Sequence, residues 1–480
     1  MNQLKSIAVV LCTLAMCIIT SCKEESKDNS IDGVYASIGY GTLVKIEDGN
    51  YIIADRTEIS CTPIMDGSVD EFPGDILKNN DTLQIKMGIN TYYFSQIEDA
   101  PEICKADSKA YKEAEAKAND PEYNFEVLWR NFLDHYAYFE LRDVDPDVMY
   151  NKYRSMVTAE TTDAELYLIL EEMLDSFNDG HIGLSAPDEV EEAAEALYEE
   201  TNNTDQSSED APKKNLRNYE VAKIIADKYI PEGTSEKNGN IRWGITNNNV
   251  GYFQLNQMFG VADYKLSDTL SYREYWMAYF EIGGNTVDEV DGINTSLDKI
   301  MAEFKDTDAI IIDLRFNGGG TDEVGMTVLQ RFNDTEQVTF TKKGKHNNGF
   351  TPINNVVQPA TDAPYTNPVY LLISAESASA TEIMTLSSLS MPNIIRIGSR
   401  TEGVFSDVLD KTLPNGWEVG LSNEVYLDTK GNNYEGIGIS PDIEITYPRE
   451  RQGFLNMIID DLSADGDQSI NAVFEKLKTE

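Results

Sequence analysis

Short apolar runs separated by turns mark the first part of the chain. The pattern predicts β-strands at residues 41–46, 51–54, 82–87 and 92–94. Each run is rich in β-branched or aromatic residues and is bounded by Gly, Asn or Asp. We therefore expect a small all-β module, antiparallel in arrangement, over residues 31–105.

From residue 106 the pattern changes to the period of a helix. Apolar side chains recur three and four positions apart at Phe125, Leu128, Trp129, Phe132 and Leu133. This spacing predicts an N-terminal helical domain over residues 106–190. Residues 191–238 contain many Glu, Asp, Asn and Ser and few large apolar residues, which favours an exposed acidic insertion or linker.

Apolar strands and amphipathic helices alternate over the second half of the chain. Strands are predicted at residues 250–255, 309–315, 368–374 and 394–398, and helices at 297–304 and 322–332, with a further helix beginning at residue 379. This order predicts an α/β domain over residues 239–455, followed by a C-terminal helix at 456–480. Ligands of such sheets bind beyond the carboxyl ends of the strands, where residues 317–320 and Ser379 would lie.

The N-terminus has the pattern of a secretion signal. Lys5 precedes an apolar run at residues 7–20, which is too short to cross a bilayer as a helix. Residues 19–22 resemble the lipobox of bacterial lipoproteins, in which the signal is removed before a cysteine, here Cys22, that then carries lipid. The resemblance implies a tether at residues 23–30 and an outer-membrane lipoprotein of the cell envelope, periplasm-facing or surface-exposed.

Composition narrows the classes of partner. The 480 residues are 41% hydrophobic, as expected of a globular protein, and 83 Asp+Glu against 39 Lys+Arg give a formal charge of −44. Such a surface would repel phosphates, which argues against nucleic acid as a partner. With Cys22 lipidated, Cys61 and Cys104 are a candidate disulfide, or else two free buried thiols. Three histidines and no zinc-binding motif predict no metal site.

Ser379, at the point where an apolar strand gives way to a helix, has two interpretations. With Glu382 three residues later it fits a capping box that satisfies free backbone N–H groups. It also fits a nucleophile, provided that a base removes its proton and that N–H donors receive the charge left on the carbonyl oxygen. Candidate donors are the N–H of Ala380 and the glycines of residues 317–320, although that run also fits a plain flexible turn.

Three histidines are candidates for the base. His181 lies where a helix ends and a turn begins, and it also fits a residue that satisfies the last helical carbonyls. His135 fits a partly buried helix residue, and His346 a solvated loop. Because no histidine follows Ser379, the α/β-hydrolase order of serine, acid and histidine is excluded.

Four blocks together resemble peptidase family S41, which includes the C-terminal processing and tricorn-like proteases. The blocks are residues 178–184, 311–320, 376–382 and 434–442, in an order and spacing that fit over about residues 120–448. The resemblance implies a ClpP/crotonase-like α/β core. It also implies Ser379 as nucleophile, and an oxyanion hole formed by Ala380 with Gly318 or Gly319.

The blocks resemble the tricorn-like branch of the family more than the branch that uses a lysine base. That lysine would stand about 25 residues after the serine, where this chain has Val404, and the nearest following lysine is Lys411. The tricorn-like pattern implies His181 as base and Glu435 as the acid that orients it, although Glu435 alone also fits a solvated loop acid. Gly180 departs from this pattern, which has a serine before the histidine.

The sequence thus predicts a lipid-anchored serine endopeptidase that needs no cofactor. Its expected partners are a peptide or protein substrate and, through the lipid, a membrane. The alternative is a non-catalytic surface lipoprotein that retains the fold and binds peptides or other ligands. The sequence leaves the oligomeric state open.

Overall fold

The computed structural model describes residues 30–202, 216–267 and 269–479. The predicted secretion signal, the predicted lipidation site Cys22 and residues 23–29 of the predicted tether lie outside the described residues. Within these ranges, every helix is too short or too polar to span a bilayer.

The β module, residues 33–97, is one antiparallel sheet with the strand order β4-β3-β2-β1-β7-β6-β5. Its strands are β1 (Gly33–Ser37), β2 (Thr42–Glu47), β3 (Asn50–Arg56), β4 (Cys61–Ser68), β5 (Asp75–Asn79), β6 (Thr82–Met87) and β7 (Asn90–Ile97). Val44 and Ile46 of β2 are buried, whereas Lys45 between them is exposed, because successive side chains of a strand point to opposite faces. A disulfide joins Cys61 of the edge strand β4 to Cys104.

Helices follow, as the period of the sequence predicts. They are α1 (Lys109–Glu115), α2 (Pro121–His135), α3 (Pro146–Arg154) and α4 (Asp163–Asp175), then a short strand β8 (Gly183–Ser185) and α5 (Asp188–Asn202). Asp120 caps α2 by accepting hydrogen bonds from two backbone N–H groups, with Pro121 at the first helical position. Phe125, Leu128 and Phe132 form the buried stripe of α2. The loop after α4 carries His181 into β8.

The remaining elements build the α/β region. In chain order they are α6 (Asn218–Tyr229), β9 (Thr234–Glu236), β10 (Ile241–Ile245), β11 (Val250–Leu255), α7 (Tyr272–Ile282), α8 (Thr286–Phe304), β12 (Ala309–Asp313), α9 (Asp322–Gln330), β13 (Gln337–His346), β14 (Gly349–Phe350), β15 (Asn354–Gln358), β16 (Val369–Ile373), α10 (Ala380–Ser388), β17 (Ile394–Gly398), β18 (Val408–Thr412), β19 (Glu418–Ser422), β20 (Glu424–Asp428), β21 (Ile443–Glu444), α11 (Arg451–Ser463) and α12 (Gln468–Leu477).

The central sheet has the order β21-β17-β16-β12-β11-β10-β9, and β11, β12, β16, β17 and β21 run parallel. All side chains of β12 and β16 are buried, since helices cover both faces. Helices α8, α9 and α10 pack on one face, and α6, α11 and α12 on the other. The predicted α/β fold class is confirmed. A smaller sheet, β18-β19-β8, holds the strand that follows His181.

Two predicted boundaries differ from the structure. The acidic linker predicted at 191–238 contains the end of α5 and all of α6, whose Val221 and Ile225 are fully buried. Acidic residues in the same stretch hid this apolar stripe. The C-terminal helix predicted at 456–480 is two helices, which are separated at Gly466, a residue with φ +100° that an unbroken helix excludes.

Candidate active site

The ends of the parallel strands β12 and β16 bring the glycine loop, residues 317–320, beside Ser379. Asn317 connects the two segments. Its carbonyl accepts the N–H of Ala378 at 3.2 Å, and its side-chain oxygen accepts the hydroxyl of Thr381 at 2.8 Å. Its amide also donates to the carbonyl of Leu255 at the end of β11. Asn317 therefore fixes three strand ends relative to one another.

Ser379 has a strained backbone. Its φ of 53° and ψ of −125° lie in a region that residues with a Cβ rarely adopt. The Ser379 N–H donates to the carbonyl of Val404 at 3.1 Å. On its other side, a Cβ added to Gly319 would lie 2.7 Å from the Cβ of Ser379, so only glycine fits there. Ser379 is half-buried, and its side chain makes no capping hydrogen bond to α10.

The capping box suggested by the sequence is therefore wrong. The carboxylate of Glu382 accepts hydrogen bonds from the N–H groups of Gly403, at 2.8 Å, and Val404, at 2.7 Å, instead of turning back to Ser379. Burial raises the pKa of Glu382 to about 8. Glu382 thus holds the turn whose carbonyl receives the N–H of Ser379.

The backbone N–H groups of Gly318, Gly319 and Ala380 were the candidates for an oxyanion hole. They differ in whether another acceptor already occupies them. The N–H of Gly319 donates to the side chain of Asn317 at 2.9 Å. In the described part of the chain, the N–H groups of Gly318 and Ala380 donate no hydrogen bond. Gly318 is exposed, and Ala380 is the first residue of α10, where the helix dipole favours negative charge. Gly318 and Ala380 remain as available donors.

His181 lies on a loop that packs against the same Val404. A Cβ at Gly180 would come within 3.2 Å of Val404 Cγ1, so the serine of the tricorn-like pattern would crowd this contact. Asp179 Oδ1 accepts the His181 N–H at 3.1 Å. Among the described residues, Nδ1 of the imidazole has no hydrogen-bond partner, and no hydrogen bond joins the ring to Ser379. The structure therefore brings both loops to Val404 without a hydrogen bond between the His181 ring and Ser379.

The pKa of His181 is lowered from its ordinary value by burial, and the nearby carboxylates of Asp179 and Asp407 oppose that shift. The neutral imidazole, which is the form a general base needs, is thus favoured at neutral pH.

Glu435 is buried, contrary to the reading of it as a solvated loop acid. Its Oε2 accepts the N–H groups of Phe405, at 2.8 Å, and Ser406, at 3.2 Å. Its Oε1 accepts Nη2 of Arg142 at 3.1 Å, and the same nitrogen lies 3.8 Å from Asp179 Oδ2. Burial raises the pKa of Glu435 to about 7, and the N–H of Phe405 opposes that rise. Glu435 reaches the histidine loop through Arg142 rather than by touching the ring.

Arg142 carried no motif in the sequence. It lies in the loop after α2 and lines a cavity of about 460 Å³ together with Asp179, Gly180, Val404 and others. The other two histidines serve the β module. His135 is buried against Gly41, and burial lowers its pKa to about 3. His346 accepts the N–H of Gly39 at Nδ1 and ends β13 instead of lying in a solvated loop. The described residues hold no cluster of three or more His, Cys, Asp or Glu side chains suited to a metal.

Two regions of the chain match models of known protein families. Residues 249–445 match the model of peptidase family S41, and residues 117–175 match the Tricorn protease C1 domain. The second half of the chain therefore resembles the peptidases of family S41. The S41 match spans both the glycine loop and Ser379, while the C1 match covers α2 to α4 and ends before His181.

Two named relatives match part of the chain. Over 138 residues the chain is 28% identical to the carboxy-terminal-processing protease of Bartonella bacilliformis, covering 29% of this chain and 31% of the relative. Over 152 residues it is 26% identical to the carboxyl-terminal-processing protease of Picosynechococcus sp., covering 31% and 34%. The chain thus spans about a third of the length of these curated relatives. Both relatives are named as processing proteases.

A solved structure shares the fold. The crystal structure of a candidate peptidase from Parabacteroides merdae ATCC 43184 superposes with a TM-score of 0.52 at 24% identity, covering 75% of this chain and 96% of that one. At this level of identity, the likeness concerns the fold alone.

Proposed function

We propose that this protein is a lipid-anchored serine endopeptidase in which Ser379 is the nucleophile and His181 the general base. The observation that carries the proposal is the conformation of Ser379. Its strained backbone places the side chain at the start of α10, beside the N–H of Ala380, and the glycine loop approaches it at Gly319. Strain of this kind persists where the surrounding structure imposes it, and it concentrates at functional sites.

In the proposed reaction, Ser379 Oγ bonds to a peptide carbonyl carbon while its proton passes to His181. The N–H groups of Gly318 and Ala380 receive the negative charge of the carbonyl oxygen. His181 then gives the proton to the leaving amine as the C–N bond breaks. Water hydrolyses the acyl-enzyme with His181 again as base. The imidazole first has to come within hydrogen-bond range of Oγ, a contact that is often loose before substrate binds.

Glu435 and Arg142 have positioning roles in this proposal. Glu435 holds the N–H groups of Phe405 and Ser406, next to the turn that receives the Ser379 N–H. Arg142 links that carboxylate to Asp179, which in turn holds the His181 backbone. The pairs of Arg142 with Glu435 and with Asp179 are largely buried. Loss of one partner would therefore leave the others without a counter-charge.

We also propose that Cys22 carries the lipid and that the enzyme acts on peptides or proteins in the cell envelope. The support is the sequence of residues 19–25, together with the disulfide between Cys61 and Cys104, which suits an oxidising compartment. Partition of the native protein into a detergent phase, and its loss in Cys22→Ser, checks this point.

Labelling by a fluorophosphonate probe tests the proposed chemistry. We expect the folded wild-type protein to be labelled and Ser379→Ala to remain unlabelled, because the probe reacts only with an activated serine. His181→Ala should label at least about a thousandfold more slowly. If the folded wild-type protein is not labelled, the alternative of a peptide-binding lipoprotein without catalysis is favoured. The unformed hydrogen bond between His181 and Ser379 is the observation behind that alternative.

The pH dependence of activity tests Glu435. Its pKa is raised to about 7, so the carboxylate that holds Phe405 and Ser406 is mostly protonated at pH 6 and mostly ionised at pH 8. His181, whose pKa is lowered, is already neutral near pH 7. We expect kcat/KM to rise with pH through about 7 and then level off. In Glu435→Gln, activity should be lower and the acidic limb should move to lower pH, where His181 titrates. An unchanged acidic limb in this variant would exclude Glu435 as the group that sets it.

A further inference from the structure

The turn between β6 and β7 places the β module against the glycine-loop region. The N–H of Ile89 in this turn donates to Glu323 Oε1 at 2.8 Å. Gly88 has a φ of 57°, and a Cβ added to it would overlap the Glu323 carboxylate. Glu323 is the second residue of α9, and the glycine loop ends three residues before it. We call residues 87–90 the hairpin tip.

The side chain of Ile89 makes a second contact between the hairpin tip and the α/β region. It packs against a cluster of buried residues made of Met326, Phe340, Val356, Ile383, Leu386, Phe405, Tyr426 and Ile439. Met326 belongs to α9, Ile383 to the first turn after Ser379, and Phe405 donates its N–H to Glu435. The hairpin tip therefore packs against a cluster to which α9, α10 and the turn at residues 403–406 all contribute side chains.

Other contacts of the β module surround the same region. Tyr40 donates to Glu424 Oε1 at 2.7 Å, and Glu424 pairs with the fully buried Lys342, which also pairs with Asp407. Asp55 pairs with the buried Lys411 of β18, in the sheet that contains β8. Separating a buried ion pair leaves an uncompensated charge in the interior, which costs much free energy. These contacts therefore hold the β module in one position.

We propose that the β module is a working part of the catalytic site, in which the hairpin tip holds α9 and thereby the glycine loop in the geometry that stabilises the oxyanion. Glu323 is then a positioning residue. The inference rests on the proposed function for its catalytic consequence, while the holding of α9 itself is independent of any chemistry. It assigns a role to a module that the S41 and C1 matches do not cover.

The chain offers a matched pair of glycines for the test. Gly49 and Gly88 both lie in hairpin turns of the module with positive φ, at 76° and 57°. No atom lies within 4 Å of a Cβ at Gly49, whereas at Gly88 the Cβ displaces Glu323. Gly49→Ala and Gly88→Ala therefore impose a similar backbone strain, and only the second disturbs the contact with α9.

Two readouts are measured for both variants, well below their melting temperatures. We expect Gly88→Ala, but not Gly49→Ala, to increase amide hydrogen exchange in residues 317–325. We also expect it to slow fluorophosphonate labelling about tenfold or more, since displacing a catalytic group by about 1 Å can cost a hundredfold in rate. Glu323→Ala should behave as Gly88→Ala does, whereas Glu323→Gln, which keeps an oxygen acceptor for Ile89, should recover most of the rate.

The outcomes separate this inference from the proposed function. If Gly88→Ala exchanges and labels as Gly49→Ala does, the hairpin tip does not hold the loop and the inference is overturned. Faster exchange with an unchanged labelling rate would overturn the catalytic role and leave only a structural contact. If even the wild-type protein resists labelling, the proposed function fails, and the exchange data alone decide whether the tip holds α9.

Discussion

Replacing Ser379 by glycine is expected to raise the melting temperature of the protein while it abolishes peptidase activity. Serine at φ 53° and ψ −125° carries a strain of about 1–3 kcal/mol that glycine does not. The greater freedom of glycine in the unfolded chain offsets this gain by up to about 1 kcal/mol. A net stabilisation of about 1–2 kcal/mol corresponds to a rise of a few degrees for a chain of this size.

Ser379→Ala is the control for this measurement. Alanine lacks the hydroxyl but keeps the Cβ, so it retains the backbone strain. Both variants should be inactive, and only the glycine variant should melt above the wild-type protein in calorimetry. A glycine variant that melts no higher than the alanine variant would show that the surroundings of Ser379 impose no strain for glycine to relieve.

The conformation of Ser379 depends on contacts that a local pattern does not contain, so two interpretations of this residue were open. Serine followed three residues later by glutamate is the pattern of a capping box, and the spacing alone does not reveal φ. The decisive contacts are tertiary, since Val404 receives the N–H of Ser379 and Glu382 is held by Gly403 and Val404. The local sequence pattern therefore identified Ser379 as the start of a helix, whereas contacts between distant segments determine its backbone conformation.

The central sheet was the most predictable part of the fold. Runs such as residues 309–312 and 369–373 are apolar because both faces of the sheet are covered, and that pattern is visible in the sequence alone. Helix α6 was missed because the acidic residues that precede it, at positions 191–210, dominate the composition of the predicted linker. Its buried stripe, which includes Val221 and Ile225, could have been found by testing the segment for helical period.

In the candidate site, only the residues that belong to sequence motifs could be predicted. Ser379, His181 and Glu435 stand in the blocks that resemble S41 peptidases, and the structure gathers their loops around residues 403–406. Arg142 and the hairpin tip stand in no motif. They act through contacts between segments far apart in the chain, which no periodicity of a single sequence encodes.

Arg315→Met is expected to have the largest effect on stability. Arg315 is fully buried and binds Asp313 through two hydrogen bonds and Asp467 through a third. Its removal leaves two carboxylates buried without a cation, a change that typically costs about 3–5 kcal/mol. Since a domain is stable by only about 5–15 kcal/mol, urea unfolding should show a large shift of the midpoint.

The same substitution should also reduce activity, because the strand end that carries Arg315 borders the site. The Arg315 carbonyl accepts the hydroxyl of Ser374, and that of Leu314 accepts the hydroxyl of Ser377, two residues before Ser379. Asp465→Ala, an exposed position beside Asp467, is the control and should leave stability within about 0.5 kcal/mol of the wild type.

Charge balance within this network can be tested by a double variant. In Arg315→Met, Asp313 and Asp467 repel each other across a dry interior. Adding Asp467→Asn removes one of the two negative charges while keeping an oxygen that can cap α12, as Asp467 Oδ1 does for the N–H of Ile470. The double variant should therefore be more stable than Arg315→Met alone, with a coupling of about 0.5–3 kcal/mol. Strictly additive losses would mean that packing around Arg315, rather than its charge, stabilises the end of β12.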